Sequence, residues 1–408
     1  FVEKVRETDP DIITGWNVID FDFKVLRDRC KHHKIPFLLG RTEEETKVRI
    51  EAQFFKDSSV SIVGRQVLDG IALLKNSFIK LNDYKLDTAA KAILGKKKTL
   101  DFAEKDADGK AKGKAAIIEE MYVKDPETLV TYNAKDAELV IEILEAKDLI
   151  NITIQRSMLT GMQIDRVSAS IASLDSLYLR ETRKRGYVCN SSLYSETEER
   201  IKGGFVRESV PGIYDYIIVC DFKSLYPSII RTFNVDPLSF QKDGTIVGPN
   251  GARFRNEEGI LPLLIQRLWE QRDEAKKRKD AVASYAIKII MNSFFGVFAS
   301  PRCRFFSHDM AGAITGWGQQ IVKETAEEIE KLGYSVIYGD TDSVFIETKK
   351  ESYDEAKEIG EQVASHITSY FQKKIKEKYK RHSFLELEFE KVYKRFIMPK
   401  IRGTEVGA

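Results

Sequence analysis

Cysteine is scarce in this sequence. Its four residues, Cys30, Cys189, Cys220 and Cys303, are scattered, and no two form a Cys-x-x-Cys pair. That spacing offers neither a disulfide framework nor a thiolate zinc site, and it fits a reducing cytosol. An excess of either charge is also missing. Sixty-five Lys and Arg against 63 Asp and Glu leave a net charge of +2, so no global basic field announces a polyanionic partner. No apolar run approaches the roughly 20 residues that cross a bilayer, and no membrane partner is expected. There is no initiator methionine and no signal-like start. Phe1 opens inside a helical pattern, so a fragment of a longer protein is expected. There is no internal repeat.

What is present is ample material for folding. A chain of 408 residues exceeds what one core ordinarily serves, so two or three domains are expected. Hydrophobic residues at 42% and charged residues at 31% are those of a globular protein. The basic residues gather locally at Lys96 to Lys98, Lys276 to Lys279 and Lys373-Lys374. Each run alone is a solvated face; together they could track phosphates.

Residues 1 to 150 alternate helical and strand patterns. Asp11 to Gly15 is a short strand, Phe21 to His32 has helical spacing, and Asp136 to Leu149 is a helix with Leu139, Ile143 and Leu144 on one face. Between them, Lys105 to Ala115 is of low complexity and is expected to be an exposed loop. A second region follows. Ile217 to Cys220 is a buried strand, and Leu225 to Ile230 is a turn entering a helix with Pro227 in its first turn. Leu261 to Asp280 and Ala281 to Phe295 are consecutive helices whose short connection makes them antiparallel. Ile314 to Leu332 is a further helix closed by Gly333.

The chemistry concentrates in Tyr338-Gly-Asp-Thr-Asp-Ser343. It reads as a β-hairpin with acids at its tip, in which Val336, Tyr338 and Asp340 share one parity. Asp340 and Asp342 repel each other unless a cation neutralises them, and a hard divalent ion is the natural partner. Alone, this is an Asp-rich turn. Asp221 alters that balance, because it too ends an apolar strand, Tyr216 to Asp221. If the strands are neighbours, Asp221 and Asp342 meet and can bridge a pair of Mg²⁺ ions, the arrangement that serves in-line phosphoryl displacement. Lys288, Asn292 and Phe295 fall at i, i+4 and i+7 on one helical face, and Arg272 and Lys276 are four apart on the partner helix. A cation there can reach a phosphate, and a phenyl ring offers a stacking surface.

Asp221-Phe-Lys-Ser-Leu-Tyr-Pro-Ser-Ile-Ile230, Lys288-Ile-Ile-Met-Asn-Ser-Phe-Phe-Gly296 and Tyr338 to Ser343 resemble, in order, the three polymerase motifs of family B DNA polymerases. Flanking text at Pro211 to Asp215, Ile230 to Phe233, Cys303 to Phe306 and Met398 to Gly403 resembles the bacterial polymerase II branch of that family. The resemblance implies an α/β and α+β multidomain protein. A ribonuclease H-like 3′→5′ exonuclease domain would occupy 1–150. A right-hand polymerase would follow, with an antiparallel palm sheet at 151–257 and 300–408 and helical-hairpin fingers at 258–299. It further implies that Asp221 and Asp342 hold two Mg²⁺ with the carbonyl of Phe222, with Asp340 a lesser member. The amides from Ser224 through Leu225 to Tyr226 would cradle the β- and γ-phosphates of a deoxynucleoside triphosphate. Arg272, Lys276, Lys288 and Asn292 would face the triphosphate, and Tyr226 would exclude a 2′-hydroxyl. Gly203-Gly204 would lie near the template backbone.

Gly15-Trp-Asn-Val-Ile-Asp-Phe-Asp22 and Tyr132-Asn-Ala-Lys-Asp136 are similar to the family's second and third exonuclease motifs. By that resemblance Asp22 and Asp136 bind metal, up to two more Mg²⁺ if the site is complete, Tyr132 orients the attacking water and Asn17 contacts the primer end. Primer–template DNA would be the partner, with a sliding clamp a further candidate. A monomer in the bacterial cytosol at the nucleoid is expected. Departures from the pattern set further expectations. Phe295 stands where the family usually has Tyr, and Ile201 replaces an aromatic before Lys202. The first exonuclease motif, an Asp-x-Glu pair, would precede Phe1, so this chain alone is expected not to proofread. A Lys-x-Tyr motif and the thumb would follow Ala408, so weak or no polymerisation by this chain alone is expected. Two rival readings are a nuclease only and a non-catalytic DNA-binding fragment.

Overall fold

Helix Leu149–Thr160 follows closely on helix Pro126–Ala146 and packs on it and on helix Gly70–Asn76. It therefore belongs with what precedes it, and the chain divides later than residue 150, into Phe1–Ser168 and a unit beginning at Ala169. The computed structural model describes residues 1–51, 58–96, 114–192 and 203–399. Lys97, Lys98, most of the low-complexity segment, Ile201, Lys202 and the stretch from residue 400 lie outside the described residues.

In the first unit, strand Ile12–Gly15 pairs in parallel with Gln66–Asp69, Ile13 opposite Val67. Val5, Val18, Phe23, Leu39, Val60 and Val67 form the core beside them. The helix expected from Asp136 starts earlier, at Pro126, because Asp125 caps it by accepting from the Thr128 amide at 3.1 Å and Pro126 has its φ set for a first turn. It ends at Ala146, and its buried face is Leu139, Val140, Ile143 and Leu144. Burying each such side chain is worth about 1.5–3 kcal/mol. The helical stretch expected from Phe21 is instead a π-helical turn at Val18–Phe23 followed by an α-helix at Lys24–His32.

The second unit is built on one antiparallel sheet. Apart from a two-stranded antiparallel ladder of Ile246–Val247 with Arg253–Phe254, its elements in chain order are α1 (Ser170–Lys184), β1 (Val206–Arg207), β2 (Gly212–Phe222), α2 (Leu225–Phe233), α3 (Ile260–Lys277), α4 (Ala281–Phe298), α5 (His308–Lys331), β3 (Ser335–Asp340), β4 (Ser343–Glu347), α6 (Tyr353–Tyr379) and β5 (Leu387–Met398). The strand order is β5-β2-β4-β3-β1. Ile217 to Cys220 are buried without the alternation of a half-exposed strand, because β2 sits inside the sheet with helices packed on it. Phe371 of α6 meets Phe222 edge-on at 6.0 Å. The hairpin β3–β4 turns at Thr341-Asp342, with Thr341 at φ 51°. A β-bulge breaks the expected parity: Phe345 faces Tyr338 but Ile346 faces Val336, so Val336 and Ile337 are both buried.

α3 and α4 form the expected antiparallel pair. Asp280 caps α4 through the Ala283 amide at 2.9 Å. By length and composition α4 is apolar enough to cross a bilayer, against the expectation that no run approaches that length; half of it is buried within the protein.

Candidate nucleotidyl-transfer site

The site grows from the C-terminal end of β2. Asp221 lies opposite Ser343 of β4 on one side and Glu388 of β5 on the other. The amide of Phe222 donates to the main-chain oxygen of Asp342 at 2.8 Å, which clamps the hairpin tip to the strand end. The two acids, 121 positions apart in sequence, therefore meet, and each acts on the other's carboxyl group. Burial pushes Asp221 up to about 7, with the charges of Asp342, Glu390 and Glu388 adding to the rise and Lys288 opposing it. Burial, then Asp340, raises Asp342 as well. Asp340 itself is exposed and is bound by Thr341, whose hydroxyl donates to Oδ1 at 2.9 Å.

These donors suit a hard divalent cation. All are oxygens, two carboxylates and the adjoining Phe222 carbonyl, and the acids stand crowded against one another. Among the described residues no group of three His, Cys, Asp or Glu side chains is gathered tightly enough to cage an ion. The rest of the shell would have to come from main chain, water or a ligand's phosphates, which is how Mg²⁺ is usually held.

Beside the acids, α2 begins at Leu225. Ser224 sits at φ 48° and its side chain does not cap the helix. The first turn of α2, from Leu225, therefore follows within four residues of Asp221 and has no Ser224 side-chain cap, and uncapped amides at a helix start favour an anion. The Tyr226 ring packs on Phe295 at 4.4 Å. A Cβ on Gly318 of α5 would stand 3.3 Å from that ring, a tight contact that glycine relieves.

On the helical pair, Lys288 and Asn292 are exposed and Phe295 half-buried along one face of α4. A cleft of about 430 Å³ is lined by Arg272, Lys276, Lys279, Asp280, Ser284, Tyr285 and Lys288 with Ala281. Four cations face one acid there, and that acid is engaged as the cap of α4. Burial lowers Arg272, and its Nε lacks a hydrogen-bond partner. Asn292 is on the same helical face but does not line the cleft.

Lys279 and the acids Glu388 and Glu390 were not selected as site residues from the sequence, although Lys279 lies in the basic run Lys276 to Lys279. Lys279, held at φ 60° in the α3–α4 link, lines the cleft. Glu388 and Glu390 bear on Asp221; the alternating acids of Leu385-Glu-Leu-Glu-Phe-Glu390 were the available signal. Gly203 and Gly204 are tied to the site as well. Gln319 donates to the Gly203 carbonyl at 2.7 Å, the Thr341 amide donates to the Phe205 carbonyl at 2.9 Å, and a Cβ on Gly204 would collide with Thr341.

In the first unit, Asn17 takes a left-handed conformation, φ 60°, at the head of the π-helical turn that carries Asp22. Burial raises Asp22, and Asp69 adds to the rise. Asp69 was not selected from sequence although, like Asp221, it ends an apolar strand. Its side chain accepts from the amides of Ile71 and Ala72 at 3.0 and 3.1 Å, and the amides of Val18 and Ile19 also act on it. Tyr132 and Asp136 lie one turn apart on helix Pro126–Ala146.

Residues 164–401 match DNA polymerase family B, and residues 1–89 match the exonuclease domain of DNA polymerase family B. The chain belongs to DNA polymerase family B. Relatives include DNA polymerase II of Escherichia coli, 37% identical over 98% of this chain, DNA polymerase 1 of Pyrococcus abyssi, 31% over 97%, and a DNA polymerase of Thermococcus gorgonarius, 29% over 97%. In each the match covers 51% of the relative. The chain spans about half the length of these relatives.

Proposed function

We propose that this chain carries the nucleotidyl-transfer centre of a DNA-templated DNA polymerase, which extends a primer 3′-hydroxyl with deoxynucleoside triphosphates. In this reading the sheet β5-β2-β4-β3-β1 is the palm and α3–α4 are the fingers. Asp221, Asp342 and the Phe222 carbonyl would hold two Mg²⁺, with Asp340 in a lesser role. When bound, these ions supply Lewis-acid neutralisation of phosphate oxygens. The amides at the start of α2, flanked by Ser224, orient the β- and γ-phosphates. Arg272, Lys276, Lys279 and Lys288 balance triphosphate charge, and Asn292 extends that face. Tyr226, wedged between Phe295 and Gly318, closes the space a ribose 2′-hydroxyl would need. The first unit is read as part of a 3′→5′ exonuclease, with Asp22 and Asp136 holding divalent metal, Tyr132 orienting water and Asn17 contacting the primer end. Primer–template DNA is the macromolecular partner.

One observation carries the reading: acids from separate strands meet at the end of β2, just before a helix with no side-chain N-cap, and Lys288 of the four-cation cleft acts on one of them. Primer extension by the full-length protein tests it. Asp342→Ala should abolish nucleotide addition; extension at the wild-type rate by that variant would end the reading and leave the nuclease-only one standing.

A further inference from the structure

The cations of the cleft sit far out on a helical pair, so whatever fixes the base of α3 fixes where they point. That base is pinned by two buried polar residues just after α2. Asn234 and Asp236 are both fully buried. Asn234, left-handed at φ 55°, donates from Nδ2 to the carbonyls of Arg255 and Glu257 at 2.7 and 2.6 Å, and its Oδ1 accepts from the Gly259 amide at 2.9 Å. Asp236 accepts from the Leu261 amide in the first turn of α3 at 2.7 Å, from the Leu238 amide at 2.7 Å, and from the Tyr178 hydroxyl of α1 at 3.0 Å to each oxygen. A Cβ on Gly259 would stand 2.5 Å from the Cβ of Asp236; the joint closes only around glycine.

All the donors to Asp236 are neutral. Burying a carboxylate without a cation is costly even when it is well bonded, and an apolar side chain at that point would spare the cost but bond nothing. What the carboxylate does is tie three elements, α1, the end of α2 and the start of α3, at one point. We infer that Asp236, with Asn234 and Tyr178, is a positioning residue that sets the direction in which α3 leaves the sheet and so holds Arg272 and Lys276 in register with the phosphate-binding end of α2. The inference rests on the polymerase reading and deepens it. At a rise of 1.5 Å per residue, Arg272 lies about 17 Å and Lys276 about 23 Å beyond Leu261, so a tilt of about 5° at the joint moves them by about 1.5 and 2 Å. Shifts of that size exceed what a charge-assisted hydrogen bond of about 2.7–2.9 Å tolerates.

The test is steady-state single-nucleotide incorporation by the full-length protein, with dATP as the probe and primer–template affinity measured in parallel. In D236N an amide N–H₂ must face the N–H of Leu238 or Leu261. The KM for dATP should rise by about tenfold or more while kcat stays within about threefold and primer–template affinity is unchanged. Y178F removes one donor and leaves the ring on Phe305; it should shift KM in the same direction by a smaller factor, and it carries the test if D236N does not fold. A merely structural role would lower the active fraction, hence apparent kcat, at constant KM, and that result in a folded variant overturns the inference. Wild-type protein that does not incorporate dATP sinks the polymerase reading and this inference with it. Wild-type incorporation with unchanged KM in both variants sinks the inference alone.

Discussion

Replacing Asp342 by Asn should make the protein more stable in the absence of divalent cations while removing its response to them. Asp221, ordinarily near 3.8, is raised to about 7, because burial penalises its charge and Asp342 repels it. At about 1.36 kcal/mol per pH unit that rise sets a ceiling of about 4 kcal/mol. The true figure is well below it, since Asp221 is only partly buried and water screens the pair. Burial, the larger cause, survives the substitution, so removal of the Asp342 charge should recover about 1 kcal/mol at pH 8. The sign follows from proton binding. A folded-state value above the unfolded one means the native protein holds a proton that the unfolded chain has released. Wild-type stability therefore declines as pH rises from about 4 to about 7 and stays lower above that range. D342N should decline less over the same window and match wild type, apart from the substitution's other effects, near pH 4. Adding Mg²⁺ at 100 times its dissociation constant should stabilise wild type by about 2.7 kcal/mol and D342N by much less. Urea unfolding followed by tryptophan fluorescence between pH 4 and 8, with EDTA or Mg²⁺, reads all of this. A D342N protein less stable than wild type at pH 8 in EDTA, or one with an undiminished Mg²⁺ response, would refute the argument that these acids are held together against their own repulsion.

Two further outcomes are expected. Tyr226→Ala in the full-length protein should lower discrimination against ribonucleotides by at least about tenfold, measured as the ratio of kcat/KM for dATP and ATP; unchanged discrimination would place the sugar gate elsewhere. Asp69→Ala should cost about 1–2 kcal/mol by loss of the cap on helix Gly70–Asn76 and should also raise hydrogen exchange at Val18 and Ile19, whose amides face the same carboxylate; a stability loss with exchange at 18–19 unchanged would confine Asp69 to capping.

Much of the site could be read from spacing because regular elements carry regular periods. Asp221 and Asp342 each end a short apolar run, and a strand places such a residue at a sheet end whatever surrounds it. Lys288, Asn292 and Phe295 share a face by the 3.6-residue period alone. What stayed hidden depends on pairings that no local period encodes. Glu388 acts on Asp221 because β5 pairs with β2 in that register. Asp69 meets Asp22 through tertiary packing, and Asn234 and Asp236 look in sequence like ordinary turn residues after a helix. The parity expected at Val336 failed for a similar reason, since one extra residue in a bulge reverses the alternation. Helix Pro126–Ala146 was recognised from its apolar half and from the four-residue spacing of Tyr132 and Asp136; its start is marked by a cap and a proline rather than by hydrophobic spacing.

The electrostatic layout also bears on what the site is for. The acids are fixed inside the sheet, where β2 is flanked by strands on both sides. The cations are carried by the α3–α4 pair, whose root is the buried joint at Asn234 and Asp236. Lys288 does act on Asp221, but it ranks below burial, Asp342, Glu390 and Glu388 among the influences on that carboxyl. The two halves therefore do not cancel each other: Asp221 remains raised, and four cations remain gathered around one capped acid. A site meant only to hold the fold together would pair these charges directly, since crowding like charges costs stability. Glu388 and Asp273 act on Arg272 and Lys288 acts on Asp221, so the two excesses are balanced only in part, which suits a ligand that brings charges of both signs at once, such as a polyphosphate with its divalent cations.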